Sequence, residues 1–295
     1  MHRTEDPLAP ATENSVARAA EGPVVLALDY PGYRKEARID DLGLDRHGVR
    51  VHGLLRSPLP RAVRGADYAA RLLANVPPGT GPVAAVAAYC ASAPLAFEVA
   101  AALGGEQPPL IILFDAEATS WDAIAADHRA RLHGLGVRPN EREVAARHGA
   151  AALGEAPERF VEDLTGELAR QAREALRAAG ADEAEVAASA THMVSAYTDW
   201  LSHLVAAHHA HTSSWAGEVL RLTSTDGDSS AFACAAERQR ELRLGCDRFE
   251  LLRSEQTRAA VLAALGLPIA PHSQEKPHSQ ETTYTQERTE RCPVV

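Results

Sequence analysis

No stretch of the 295 residues is long and apolar enough to cross a bilayer, and the N-terminal MHRTEDPLAPATENS lacks the apolar core of a signal peptide. The expected location is cytoplasmic, with no membrane partner. Positive charge is scarce: 30 Lys and Arg stand against 40 Asp and Glu, a formal net charge of −10, and no basic cluster relieves the deficit. Phosphate backbones need clustered Lys and Arg, so nucleic acid is excluded as a partner. Cysteine is also sparse. The four residues at 90, 234, 246 and 292 show no CxxC spacing, which argues against a zinc ribbon or a disulfide framework and leaves reduced thiols. What is plentiful is apolar surface, at 45% of residues, enough for a full globular core.

Short apolar runs bounded by turn residues alternate with helical patterns, the mark of a mostly parallel sheet covered by helices. The predicted strands are VVLALD (24–29), VRVHGLL (49–55), GPVAAVAAY (81–89), PLIILFD (109–115), EVLRLT (218–223) and ELRLGC (241–246). Helices are predicted at 61–76, 94–104 and 229–242 from apolar residues three and four apart. The alternation stops between about 118 and 214, where RFVEDLTGELARQAREALRAA (159–179) and EAEVAASATHMVSAYTDWLSHLVAAHH (185–209) predict long amphipathic helices. The fold class is therefore α/β, with a core over 22–117 and 215–268 and a helical insertion over 118–214 placed to act as a lid. A plain helical domain without gating is the other reading of that segment. Residues 1–21 and the PHSQ-repeating tail 269–295 carry too little apolar surface to offset the entropy of ordering and are expected to be flexible.

The stretch AAYCASAPLAFEVAAAL (87–103) puts a cysteine at the corner between a predicted strand and a predicted helix. Hydrolases of the α/β class hold their nucleophile on such a strained turn, written GxSxG because only small residues fit two positions before and after it. Ala88, Cys90 and Ser92 occupy those positions, and Pro94 is tolerated in the first turn of the helix. Cys90 is thus a candidate nucleophile, a buried structural thiol being the alternative.

PLAFEVAAAL closely resembles the helix after the nucleophile in the thioesterases of polyketide and nonribosomal peptide assembly lines, type II thioesterases included, typically GHSxGGxxAFEVAxxL. PLIILFDAE resembles the following strand of that family, WAGEVLRLTSTDGD a later one, and GCDRFELLRSEQTRAAVLAAL its GDHFSLL segment and closing helix. The matches run in order over residues 24–266. The resemblance implies an α/β-hydrolase fold, an acyl or aminoacyl thioester substrate carried on the phosphopantetheine of an acyl or peptidyl carrier protein, and no cofactor or metal of its own. It places the nucleophile at Cys90, the acid at Asp115 and, where the family keeps its histidine base, Arg248.

These departures from the family pattern bear on mechanism. A thiol is more nucleophilic than a hydroxyl and needs less help from a base. Arginine stays protonated, so Arg248 cannot accept a proton, although it can stabilise a thiolate or an oxyanion. Ordinary Ser-His-Asp hydrolysis is not supported. A cysteine acyl-enzyme is itself a thioester, so passing its group to another thiol is nearly balanced in energy, which favours transfer over hydrolysis. The alternative is a catalytically inactive relative that binds a carrier or synthetase, or a noncovalent cyclisation or rearrangement catalyst.

Further candidates follow from position. Ala91 N–H and the DYPGY loop (29–33), with Gly32 at its tightest point, stand where oxyanion donors are expected. Asp226 and Asp228 are alternative acids after a later strand. His203, His208, His209 and His211 are possible substitute bases near the end of the insertion, a solvated helix end being the simpler reading, and their HHAH spacing does not place three ligands on one helical face for zinc. His52, at an early strand end, reads as structural, as do Cys234, within a predicted helix, and Cys246.

Overall fold

The computed structural model describes residues 22–268 apart from 33, 213, 229 and 231. The expectations for 1–21 and 269–295, Cys292 and the last residue of the DYPGY loop fall outside that set.

Six strands form one parallel sheet: β1 (Val24–Leu28), β2 (Arg50–Gly53), β3 (Val83–Tyr89), β4 (Leu110–Phe114), β5 (Trp215–Thr223) and β6 (Ala236–Arg243), in the order β2-β1-β3-β4-β5-β6. The inner strands are buried on both faces, which is why VVLAL and LIILF read as unbroken apolar runs rather than alternating ones. On one face α1 (Gly65–Leu73) and α2 (Ala93–Leu103) bury Tyr68, Leu72, Leu95 and Phe97. On the other, Leu42, Leu44, Leu251 and Leu252 pack with α8 (Glu255–Ala264). This is the mostly parallel, helix-covered α/β sheet expected from the sequence. The chain steps to opposite sides of β1 to form β2 and then β3. That reversal opens a crevice beyond the carboxyl ends of β1 and β3, where ligands bind in open α/β sheets.

Between β4 and β5 the chain forms only helices among the described residues: α3 (Trp121–Gly134), α4 (Glu141–Arg147), α5 (Ala150–Glu155), α6 (Pro157–Ala178) and α7 (Glu183–His208). The long pair matches the two amphipathic stretches read from the sequence. Gly180 turns the chain at φ +87°, and Asp182 starts α7 with a reciprocal cap to Glu185. The insertion has a core of its own, with Ile124, Leu132, Phe160, Leu164, Tyr197 and Leu201 buried together. No helix among the described residues is long and apolar enough to cross a membrane.

One predicted element is wrong. The helix expected over 229–242 is replaced from Ala236 by β6, although AERQREL is rich in helix formers. Pairing with β5 overrides local propensity, and two cross-strand ion pairs, Arg240–Glu218 at 2.6 Å and Arg221–Glu241 at 3.5 Å, use the charges that made the segment look helical. Such a charged edge also discourages pairing with another sheet. Cys234 consequently precedes a strand instead of lying within a helix.

Candidate active site

Strand β3 ends at Tyr89 and α2 begins at Ala93, so Cys90–Ser92 must turn the chain within a single 3-10 turn. Cys90 makes that turn with φ +54°, and Asp115, immediately after β4, has φ +41°. These are the two non-glycine residues with positive φ among those described, and both were singled out by sequence position. Backbone held in this region costs roughly 1–3 kcal/mol each and concentrates at functional sites.

A cavity of about 480 Å³ lies over the turn, bordered by Tyr30, Gly32, Tyr89, Cys90, Ala91 and Ser92 from the core, by Trp200 from the insertion, and by Arg248; among the described residues no histidine lines it. The insertion therefore closes one side of the pocket.

Arg248 ties the polar groups together. Its Nη2 lies 3.5 Å from Cys90 Sγ and is ion-paired with the Glu117 carboxylate, and its Nε stands 3.7 Å from Asp115 Oδ2, an ion pair too long for a hydrogen bond. Asp115 is buried and accepts from Ser224 N–H and Ser224 Oγ–H, both at 2.8 Å. Gly227 makes this possible by close approach, since a Cβ there would sit 2.4 Å from Asp115 Oδ1. Glu117 also hydrogen-bonds the Cys90 thiol, and its own N–H donates to the Cys90 carbonyl at 3.3 Å.

Burial, reinforced by the charge and hydrogen bond of Glu117, pushes the Cys90 thiol up to about 12, while Arg248 and the Ala91 N–H pull the other way. The cysteine is thus a protonated thiol at rest. For Arg248, burial opposes the charge but Glu117 outweighs it and holds the guanidinium above its ordinary value. Its fixed positive charge stabilises whichever neighbour is negative and takes no proton itself.

The other candidates lie elsewhere. Asp226 accepts the Arg248 backbone N–H at 3.4 Å, and Asp228 is an exposed loop carboxylate bonded to Ser230. The four clustered histidines diverge. His203 is fully buried, not solvated as expected, with Nε2 3.0 Å from Ser92 Oγ, Nδ1 3.3 Å from the Tyr68 hydroxyl, and its ring stacked on Trp200. Burial lowers its pKa to about 3, so it is neutral. His208 and His209 donate to the carbonyls of Thr119 and Leu153, and His211 meets Glu98. None is positioned as the base for Cys90. His52 is part-buried on β2.

Glu117 was missed by sequence reasoning. The signal available was faint: a carboxylate two residues beyond Asp115 in the DAE that ends β4. Ser92 was read only as a small residue filling a glycine position, whereas its hydroxyl holds the insertion to the turn.

No protein-family model matches the sequence, and no curated protein matches it. Solved structures do. One is a four-domain nonribosomal peptide synthetase bound to AMP and glycine (TM-score 0.48, 16% identity), of which the match covers 19% while covering 82% of this chain. Another is the NocB thioesterase domain of the nocardicin cluster (TM-score 0.45, 18% identity, 83% of this chain and 94% of that one). A third is the RedJ thioesterase of the prodiginine pathway in Streptomyces coelicolor (TM-score 0.42, 16% identity, 90% and 96%). Likeness of this degree does not bear on activity, which has to be argued from the residues of this chain.

Proposed function

We propose that this protein processes acyl or aminoacyl thioesters presented by a carrier protein, in polyketide or nonribosomal peptide assembly, by passing the acyl group through Cys90. The observation that carries the proposal is the Cys90–Glu117–Arg248 cluster: a thiol on a strained strand-to-helix turn at the floor of a cavity, hydrogen-bonded to a carboxylate and faced by a fixed cation.

The step balances as follows. Cys90 Sγ–H gives its proton to Glu117 while sulfur attacks the thioester carbonyl. The pantetheine sulfur leaves and takes that proton back from Glu117. Arg248 stays protonated throughout: it pairs with Glu117 while that carboxylate is charged, and the negative charge that Glu117 gives up on taking the proton passes to the carbonyl oxygen of the tetrahedral intermediate and returns to Glu117 when the intermediate collapses. Ala91 N–H and the backbone at Gly32 are the oxyanion donors, and Asp115 positions Arg248 in place of orienting a histidine. A second thiol reverses the sequence and completes transfer. Hydrolysis requires a base for water, and among the described residues no histidine lines the cavity to serve as a dedicated one.

A second reading is favoured by the thiol's elevation to about 12: an accessory protein that binds carrier-linked or free acyl groups without covalent chemistry. Intact-protein mass spectrometry separates the two after incubation with a panel of acyl and aminoacyl carrier thioesters. An acyl increment present in the wild type and absent from Cys90→Ala supports transfer. Equal binding of the donors by both proteins with no increment in either removes the covalent mechanism.

A further inference from the structure

The helical insertion contains a second cluster of chemically capable side chains that the thiol chemistry does not use. His128 on α3, His148 just past α4 and Glu167 on α6 bring one nitrogen or oxygen each to a common point, all within 4.8 Å of one another. Glu167 Oε2 is 3.2 Å from His128 Nε2 and 2.9 Å from His148 Nε2. The three side chains are 0%, 10% and 8% exposed. We propose that His128, His148 and Glu167 form a binding site for a zinc-class divalent cation that fastens three helices of the insertion together, with water completing the coordination.

Several features favour a cation over a hydrogen-bond network alone. Both imidazoles turn the same atom, Nε2, toward Glu167 Oε2, and their planes cross at 80° with centroids 5.9 Å apart, so two ring nitrogens and one carboxylate oxygen converge on a common point, as a four-coordinate ion completed by water needs. The outward Nδ1 of His128 lies 2.9 Å from the buried Tyr197 hydroxyl, the kind of outer partner that fixes the tautomer of a metal-bound histidine. Arg147 occupies Glu167 Oε1, leaving Oε2 as the inward donor. Two nitrogens and one carboxylate oxygen suit zinc, not magnesium or calcium, which take oxygen sets.

The location gives the cation a purpose. α4 and α5 have 7 and 6 residues, lengths that do not hold a helix unaided. Asp127 and Arg131, flanking His128 on α3, line the cavity over Cys90, as do Ala196 and Trp200 beside Tyr197 on α7. A cation here sits one layer behind the pocket wall and sets its shape.

The test uses the full chain, stripped with chelator and titrated with zinc in competition with a chromophoric chelator. The expectation is one equivalent captured by the wild type and by Cys90→Ala. Affinity should fall at least 100-fold in Glu167→Gln and His148→Asn, and 10–100-fold in Tyr197→Phe. Zinc should raise the melting temperature of the wild type but not of Glu167→Gln, and magnesium should raise neither. Glu167→Gln and Tyr197→Phe are near-isosteric, and their far-UV circular dichroism establishes that they are folded. Failure of the wild type to compete, or equal zinc binding by wild type and folded Glu167→Gln, overturns the site.

Discussion

Replacing Glu117 by glutamine should move two properties of Cys90 in opposite directions. A thiol at about 12 lies three pH units above the ordinary value of 9.0, and each unit is worth about 1.36 kcal/mol, so the site opposes ionisation by roughly 4 kcal/mol. At pH 7 the thiolate fraction is on the order of one in 10⁵, against about one in 10² for an unperturbed thiol. Burial supplies the largest part of this and Glu117 the next, through its charge and its hydrogen bond. Glu117→Gln removes the charge and leaves Arg248 facing the sulfur alone. Alkylation of Cys90 by iodoacetamide at pH 7, followed by peptide mass spectrometry so that Cys234, Cys246 and Cys292 do not interfere, should accelerate at least about tenfold, with a ceiling near 10³ if the ordinary value is regained. Acyl transfer should fall instead, by roughly 10²–10⁴, the usual loss on removing a general base. If alkylation and acyl transfer rise together, Glu117 is only a suppressor of the thiolate and the proton-transfer role assigned to it is wrong.

Arg248→Gln should slow alkylation, since the guanidinium is what pulls the thiol down, while Arg248→His should add hydrolysis of carrier thioesters, detected as released thiol and free acid; no gain of hydrolysis would argue against the register with the family's base. Gly227→Ala forces a methyl to within 2.4 Å of Asp115 and 2.7 Å of Thr223, so urea unfolding should register a loss of about 1–3 kcal/mol, and an unchanged midpoint would refute the packing there. His203 has a folded pKa near 3 and an ordinary value of 6.5, so the unfolded chain binds the extra proton between them. Its contribution is complete well above 6.5 and is lost as pH falls, by about 2.3 kcal/mol between pH 6.5 and 4.5. Urea midpoints compared at those two pH values should show that loss in the wild type and a flatter dependence in His203→Gln; identical slopes would contradict the burial argument.

The sheet was legible in the sequence because parallel strands buried on both faces carry their burial in every residue, as VAAVAAY and LIILF do. The turn at Cys90 was legible because a strained corner admits only small neighbours. β6 was not, since an exposed charged edge strand has neither the apolar run nor the alternation that marks burial, and its helix formers pointed the wrong way. Glu117 escaped because a carboxylate in a loop looks solvated until the fold brings Arg248, 131 residues away, onto it. His203, His208, His209 and His211 drew notice because they are neighbours in sequence, but helical rotation and the chain's exit from α7 send them to separate partners. The opposite holds for His128, His148 and Glu167, which stand on three helical segments with no shared period and meet only in the packed insertion.

Ser92 is both the third residue of the turn that holds Cys90 and, through His203, the anchorage of α7. The pocket's roof is therefore fastened to its floor one residue from the Ala91 N–H. A chain with glycine at position 92 would keep the small residue the corner needs but lose the one side-chain bond that ties this turn to α7 through His203.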